Sequence, residues 1–431
     1  MSRITNYGSS LVLGAVLAAT LSVKPAMATN GYFSSGVDTE SKGMAGSGVV
    51  TGEGPVASAL NPALGVKMGN VAGGCMSVFM PHRDTTVTGG RGTAYLQNGV
   101  FDSDKEIFFV PCAGANYKVQ DDLSVGMLLY ANGGMNTKYP TNIFSPGFGT
   151  VADAPLGVDL AQAFMSANFA YKVTPGITLG VAPIFAMQRF KAYGLSPFGG
   201  SSTDRSKLTD NGYDYAYGGG AKVGALWDAN SWLSFAVAGQ SPIYMTRFDK
   251  YAGLFADHGD MDIPPSDSEG VNFKVTPKLD VMLEHQGIYY KFVDSVSNSG
   301  NNPTGGTFNW RLGDEAGAGF GYRNMHVFCI GAQWKAMDDL TLRTGYSYNT
   351  DFTKNDELLF NILAPATIKH HVSLGASYDI TPNWGVSFAY THAFSQSFTG
   401  DFIGVPTNGG SQVIKLRMDQ DEASIGLKYR W

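Results

Sequence analysis

The C-terminal residues 423–431 set the strongest limit on what this chain can fold into. Ala423, Ile425, Leu427, Tyr429 and Trp431 alternate with Ser424, Gly426, Lys428 and Arg430. Successive side chains of a strand point to opposite faces. One face is therefore apolar and ends in two aromatics, and the other is small or cationic. That is the lipid-out, polar-in pattern of a membrane β-barrel. A sandwich strand shares the alternation, but a chain ending on an aromatic at the end of such a strand carries the mark by which barrels are recognised for assembly. The barrel assembly machinery is thus an expected partner, through Trp431.

Other segments repeat the pattern. Leu340, Leu342, Tyr346 and Tyr348 oppose Thr341, Arg343, Gly345 and Ser347. Trp384, Val386, Phe388 and Tyr390 oppose Gly385, Ser387, Ala389 and Thr391, and Val372, Leu374, Ala376 and Tyr378 oppose Ser373, Gly375 and Ser377. Tight connections at 120–122, 174–176, 228–230, 276–278, 337–339 and 381–383 are built of turn residues. Longer polar stretches lie between them, near 83–105, 134–157, 194–211, 250–268, 294–318, 352–364 and 399–411. Bacterial barrels keep short turns on the periplasmic side and long loops outside. These connections predict an all-β chain, a transmembrane barrel of about fourteen antiparallel strands with both ends periplasmic.

Composition agrees. Charged residues are 15%, with 55 Gly and 12% aromatics, against roughly 25% charged in soluble domains. Strands facing lipid, crowded curved walls and interfacial girdles account for all three. The apolar run Leu11 to Val23 is shorter than the roughly 20 residues a membrane helix requires. It follows Arg3 and precedes Ala26-Met27-Ala28, which predicts a cleaved export signal over 1–28. A net charge of -6 is too small to imply a polyanionic partner. No Walker motif, metal-ligand spacing or basic stripe is present, so no cofactor, metal or nucleic acid is expected. Cys75, Cys112 and Cys329 are odd in number and widely spaced; they read as packing residues, with a disulfide between two of them left open.

Residues 29–66 behave differently from the rest. They are rich in Gly, Ser and Ala with little alternation, yet Phe33, Met44, Val49, Val50 and Leu60 give them apolar surface to pack inside something. This predicts a compact plug, or hatch, over 29–66 ahead of a barrel over 67–431.

Three stretches resemble the FadL/TodX (OMPP1) family of outer-membrane transporters for long-chain fatty acids and other hydrophobic compounds. The resemblance covers nearly the whole mature length. Phe33-Ser34-Ser35-Gly36, Lys42 to Gly48 and the Asn61-Pro62-Ala63 triplet are similar to the family's hatch and its NPA motif. Leu340 to Tyr346 is similar to its late strand with an R-T-G core, and Ile362 to Ala366 to a long loop ahead of His371. The resemblance implies a hatch that blocks the lumen and a third strand that kinks inward. Substrate would be captured outside, held in the lumen and released sideways at the kink. Here that strand would be Leu123 to about Gly134, with Ala131, Asn132, Gly133 and Gly134 as the lateral-gate region. Glycine inside a strand favours a bulge or a close backbone approach.

Family members that carry fatty acids hold the carboxylate with luminal cations, a fitting use of charge-assisted hydrogen bonds. Arg189 is the candidate here, provided that Pro183 resets the register. Otherwise Arg189 shares the outward face of Ile177, Leu179 and Val181. Ala131 stands where the family's third-strand serine would be. Long-chain fatty acids are the expected substrate, with neutral aromatic or alkane hydrocarbons as the alternative, and lipid and substrate are the expected small partners of a monomer. A general porin, a barrel enzyme and a structural barrel are the rival classes. The hatch argues against the first, and the absence of a recognisable triad around His285, His326 or His392 against the second.

Overall fold

The computed structural model describes residues 30–90, 96–144, 154–300, 311–402 and 411–431. The expected signal, 1–28, lies outside these residues. Sixteen segments pair into one antiparallel sheet. Fourteen of them are wall strands: β1 Val71–Gly89, β2 Phe108–Lys118, β3 Leu123–Asn136, β4 Gly157–Thr174, β5 Ile177–Tyr193, β6 Asp214–Asp228, β7 Leu233–Gln240, β8 Ser266–Thr276, β9 Leu279–Ile288, β10 Met325–Lys335, β11 Leu340–Asn349, β12 His370–Asp379, β13 Trp384–Asp401 and β14 Gln412–Arg430. β14 pairs with β1 from Val71 opposite Arg430 to Gly89 opposite Gln412, which closes the barrel. The two remaining segments are short: Gly99–Asp102 lies on β1 and Tyr244–Met245 on β6.

The six tight connections fall where the turn residues stand, and the long loops all emerge at the opposite end. Outward positions between the two ends are apolar and exposed, among them Leu179, Val181, Leu283, Leu374, Phe388 and Ile425. Exposed Trp227, Trp232, Trp334, Trp384 and Trp431 ring the turn end, as an interfacial girdle does. The strands outrun the expected loop bounds on one side. β1 continues to Gly89, past the predicted loop start at 83, because its ladder with β14 is unbroken. Its outward residues there are His82 and Asp84, which meet Asp419 and Arg417. Above the lipid band the apolar residues turn inward, Val87 facing Ile414 with Leu416 and Met418 beside them, so the lipid-out signal disappears while the backbone pairing persists.

Residues 30–70 fill the lumen with short elements: α1 Thr39–Lys42, α2 Gly65–Met68 and 3-10 turns at Ala57–Ala59 and Pro62–Leu64. α1 is nucleated by Asp38, whose Oδ1 accepts from Ser41 N at 2.9 Å and from Ser41 Oγ at 2.7 Å. The other oxygen, Oδ2, is buried without a partner. Burial, and then neighbouring Glu40, push the Asp38 carboxyl up from 3.8 to about 6. A raised carboxyl holds its proton better in the folded chain. Its contribution to stability is therefore fully present below the unfolded value and is lost as pH rises through about 6. Asp38→Asn keeps the cap and removes the titration. The variant is expected to melt above the native protein near pH 8, with the gap closing toward about pH 4. Thermal melts at both pH values check this.

Candidate functional site

Hydrogen bonds and close approaches tie the plug to the wall around its circumference. Buried Lys42 pairs with buried Glu422 of β14 and donates to Ser77 of β1 at 2.8 Å. Glu40 accepts from Ser387 of β13 at 2.8 Å and lies 3.6 Å from Lys428. Glu284 of β9 accepts the backbone N–H groups of Gly48 and Val49 at 2.9 and 3.0 Å. The R-T-G stretch is a seat for this plug. Arg343, with 1% of its side chain exposed, reaches Glu53 at 3.0 Å. A Cβ at Gly345 would lie 2.2 Å from the Met44 carbonyl carbon.

The Asn61-Pro62-Ala63 triplet docks on β4, β5 and β6. Pro62 opens a 3-10 turn that Asn61 caps, Ala63 N donating to Asn61 Oδ1 at 3.0 Å. Asn61 Nδ2 donates to Val49 O at 3.0 Å and to Ala225 O at 3.2 Å. Asn168 donates to Pro62 O at 3.1 Å. The wall glycines beneath permit the fit: a Cβ at Gly224 would lie 2.0 Å from Asn61 Oδ1. Asn61→Ala strands the buried groups that it now satisfies. The expected cost to hatch docking is about 1–3 kcal/mol, read as faster hydrogen exchange over residues 57–64.

The third strand leaves the wall. β3 pairs with β2 only from Ser124 opposite Lys118 to Leu129 opposite Ala113, while β2 stays on β1 up to Phe108. On its other side β3 follows β4 with one extra residue. Ala131 opposes Ala163 and Gly133 opposes Gln162, which leaves Asn132 as a bulge. From Tyr130 to Asn136 every residue is buried, so the in–out alternation ends there. The plug takes the freed edge: Ser34 N donates to Asn132 O and Gly134 N to Tyr32 O, both at 2.9 Å. Gly133 is required by this contact, since a Cβ would lie 1.7 Å from Tyr32 O. A chain of amides steadies the bulge: Asn132 donates to Gln162 at 2.8 Å, Gln162 to Gln188 at 3.2 Å and Gln188 to Met261 O at 2.7 Å.

Two cavities flank this region. The outer one, at the loop end, has about 470 Å³ of empty space, part of it open to solvent. Met135, Leu160 and Phe190 form its wall side, and loop residues such as Phe255, Met261, Leu312, Phe320, Phe360 and Leu363 its cover. Ser295 is the one polar side chain lining it among the described residues. Ile362 to Ala366, the loop stretch singled out in the sequence, closes one side, because Thr137 donates to Leu363 O at 2.6 Å and Tyr139 to Ile362 O at 2.9 Å. The inner cavity has about 770 Å³ of empty space, part of it open to solvent. It is lined by Phe33, Val49, Leu60, Tyr130 and Ala131, and also by Lys222, Glu284 and Gln240. Lys222 Nζ donates to Ala59 O at 2.7 Å. Ring contacts run unbroken between the cavities, from Phe33 through Tyr290 and Tyr322 to Phe320 at 5.8, 5.5 and 5.5 Å. Tyr290 also bonds the start of the plug, accepting from Tyr32 N at 3.2 Å and donating to Asn30 O.

The structure thus seats the hatch triplet on β4 to β6 and Ala131 to Gly134 against Tyr32 to Ser34 of the plug, two separate places, and puts Arg189 at neither. Pairing of β5 with β6 runs without a shift through Pro183, so no bulge resets the register. Arg189 stays on the outward face, 3.9 Å from Asp159 and with its guanidinium carbon 5.0 Å from the Tyr213 ring centre. It lines neither cavity. The packing role expected of the cysteines is corrected for two of them. Cys75 and Cys112 stand opposite each other on β1 and β2 and form a disulfide. Cys329 is free and lines the inner cavity. Sequence reading missed Glu284, Glu422 and Lys222, because an inward charge in a barrel strand looks the same whether it meets water or a plug.

A family model described as Outer membrane protein transport protein (OMPP1/FadL/TodX) matches residues 20–401. Among solved structures, the P. putida toluene transporter TodX is similar at 16% identity and a TM-score of 0.69, covering 92% of this chain and 99% of that one. A Pseudomonas aeruginosa FadL homologue is similar at 15% identity and a TM-score of 0.68, covering 93% and 99%. The Ralstonia pickettii toluene transporter TbuX is similar at 19% identity and a TM-score of 0.60, covering 92% and 99%. No curated protein sequence matches the chain.

Proposed function

The chain belongs to the OMPP1/FadL/TodX family of outer membrane transport proteins, and from that premise we propose that it takes up small neutral hydrocarbons. It is an outer-membrane barrel that transports hydrophobic compounds. In the proposed route a hydrocarbon is captured in the outer cavity and passes the aromatic contacts around Tyr290. It then rests against the inner cavity and leaves sideways where β3 parts from β2. Residues 29–66 act as a hatch that denies a straight path to the periplasm.

The observation that carries the choice of substrate is the lining of the outer cavity, which offers no ionisable side chain among the described residues. A carboxylate brought there would lose its hydration with nothing to replace it. Apolar compounds of aromatic size lose nothing. The similarity to two toluene transporters points the same way.

Long-chain fatty acids, the substrate expected from the sequence, are favoured by a different observation. Lys222 lines the inner cavity with no carboxylate partner among the described residues, and it could meet a head group there. Arg189 offers no such help from the outer face. Uptake of radiolabelled toluene and of a radiolabelled long-chain fatty acid, by cells lacking their own transporter, separates the two. Toluene uptake that is unaffected by Lys222→Met is the expected result. Fatty acid uptake that falls in the same variant would move the substrate to carboxylates, and uptake of neither would sink both readings.

A further inference from the structure

Three ligand-type side chains meet on the outer face of the wall, where His285 also borders the inner cavity. They are Asp267 and Glu269 of β8 and His285 of β9, and one ligating atom from each lies within 4.8 Å of the others. Hairpin pairing sets Glu269 directly opposite His285, and Asp267 opposite Gly287. All three point outward at the loop end of their strands. Outward Val271 and Phe273 precede them toward the turn end on β8, and Val281 and Leu283 on β9. The group therefore sits where the lipid-facing band gives way to polar residues.

Its geometry is that of a ligand set with its supporting bonds in place. His285 Nδ1 is 2.8 Å from Glu269 Oε2, while its other nitrogen, Nε2, is 3.0 Å from His326 Nδ1 on β10. Asp267 Oδ1 accepts from Gly287 N at 3.0 Å, and its Oδ2 accepts from the Tyr289 hydroxyl. Metal-binding histidines are oriented by a partner on the second nitrogen, and ligating carboxylates are themselves hydrogen-bonded. Both conditions are met. One imidazole with two carboxylates suits zinc and its neighbours, whereas magnesium and calcium prefer oxygen donors alone. Other outward histidine–carboxylate contacts, His82 with Asp419 and His392 with Asp421, do not assemble a group of three among the described residues.

We propose that Asp267, Glu269 and His285 bind one divalent transition-metal ion of zinc's class, with His326 as a positioning residue that orients the His285 ring. No metal-ligand spacing was legible in the sequence because the ligands come from two strands and become neighbours only through pairing. The ion would fasten β8 to β9 at the base of the loop 289–324, which carries Tyr290 and part of the outer cavity.

The test uses the full folded protein in detergent, stripped of metal and titrated with zinc chloride by calorimetry. Magnesium chloride alone is titrated in parallel. Barrel folding of each variant is checked by its heat-dependent gel mobility. One saturable zinc site is expected, with His285→Ala and Glu269→Gln each weakening it about tenfold or more. His326→Ala should weaken it less, and His392→Ala not at all. Zinc binding that is absent, unchanged in both folded His285→Ala and Glu269→Gln, or lost in His392→Ala would overturn the site. Equal binding of magnesium would reduce it to a carboxylate patch and overturn the proposal as well.

Discussion

Deletion of Asn132 is expected to leave a folded barrel that no longer takes up its hydrophobic substrate. Asn132 is the extra residue between Ala131, opposite Ala163, and Gly133, opposite Gln162. Removing it lets the β3–β4 ladder run straight, since a bulge bends a strand by that one unpaired residue. The run that now turns into the lumen from Tyr130 onward would then rise beside Phe108 to Cys112 of β2 and close the parting. It would also lose the bonds by which Ser34 and Tyr32 hold the freed edge. Uptake should fall by on the order of tenfold or more, as the bulge is the device that breaks the wall. Asn132→Ala keeps the bulge and loses only the amide link to Gln162, so its uptake should stay near normal. Radiolabelled uptake, with gel mobility to show folding, decides the matter. Normal uptake by the deletion variant would sink the sideways route.

The second large effect is expected at Glu422. Its partner Lys42 is buried in the plug, with 3% of its side chain exposed. Glu422→Ala would leave that ammonium with Ser77 alone. Stranding one member of a buried pair costs about 3–5 kcal/mol, whereas replacing both by apolar groups of similar volume is often near neutral. The single variant should therefore loosen the plug, and Lys42→Met combined with Glu422→Leu should largely restore it. Conductance across a planar bilayer is the readout: open-channel current in the single variant and little in the double. Equal currents in the two would show that the pair does not hold the hatch.

Much of this architecture could be read from the chain because lipid imposes a period-two pattern. β11 to β14, the tight turns and the strand number follow from alternation and turn chemistry alone. Residues 30–66 stood apart in the sequence as the stretch where alternation is missing. The seats of that plug were harder. Gly224, Gly345 and Gly133 look like ordinary barrel glycines until the backbone pressed against them is known. The kink was half visible, because Asn-Gly-Gly at the end of β3 also suits a plain exit into a loop. Arg189 turned on a single question, whether Pro183 shifts the register, and one residue of slip moves every later side chain to the other face. The outer cavity was invisible, since its walls come from β3 to β5 and three loops that only the closed barrel gathers together.

The ring of plug contacts also constrains how this protein can evolve. Barrels change size by gaining or losing whole hairpins. Here Lys42, Glu40, Glu53, Gly48 and Asn61 each answer to a particular strand at a particular angle around the wall. Duplicating a hairpin would widen the circle and rotate those strands away from their mates together, stranding several buried charges at once. Descendants are thus free to rebuild their loops while the circumference stays locked by what it encloses.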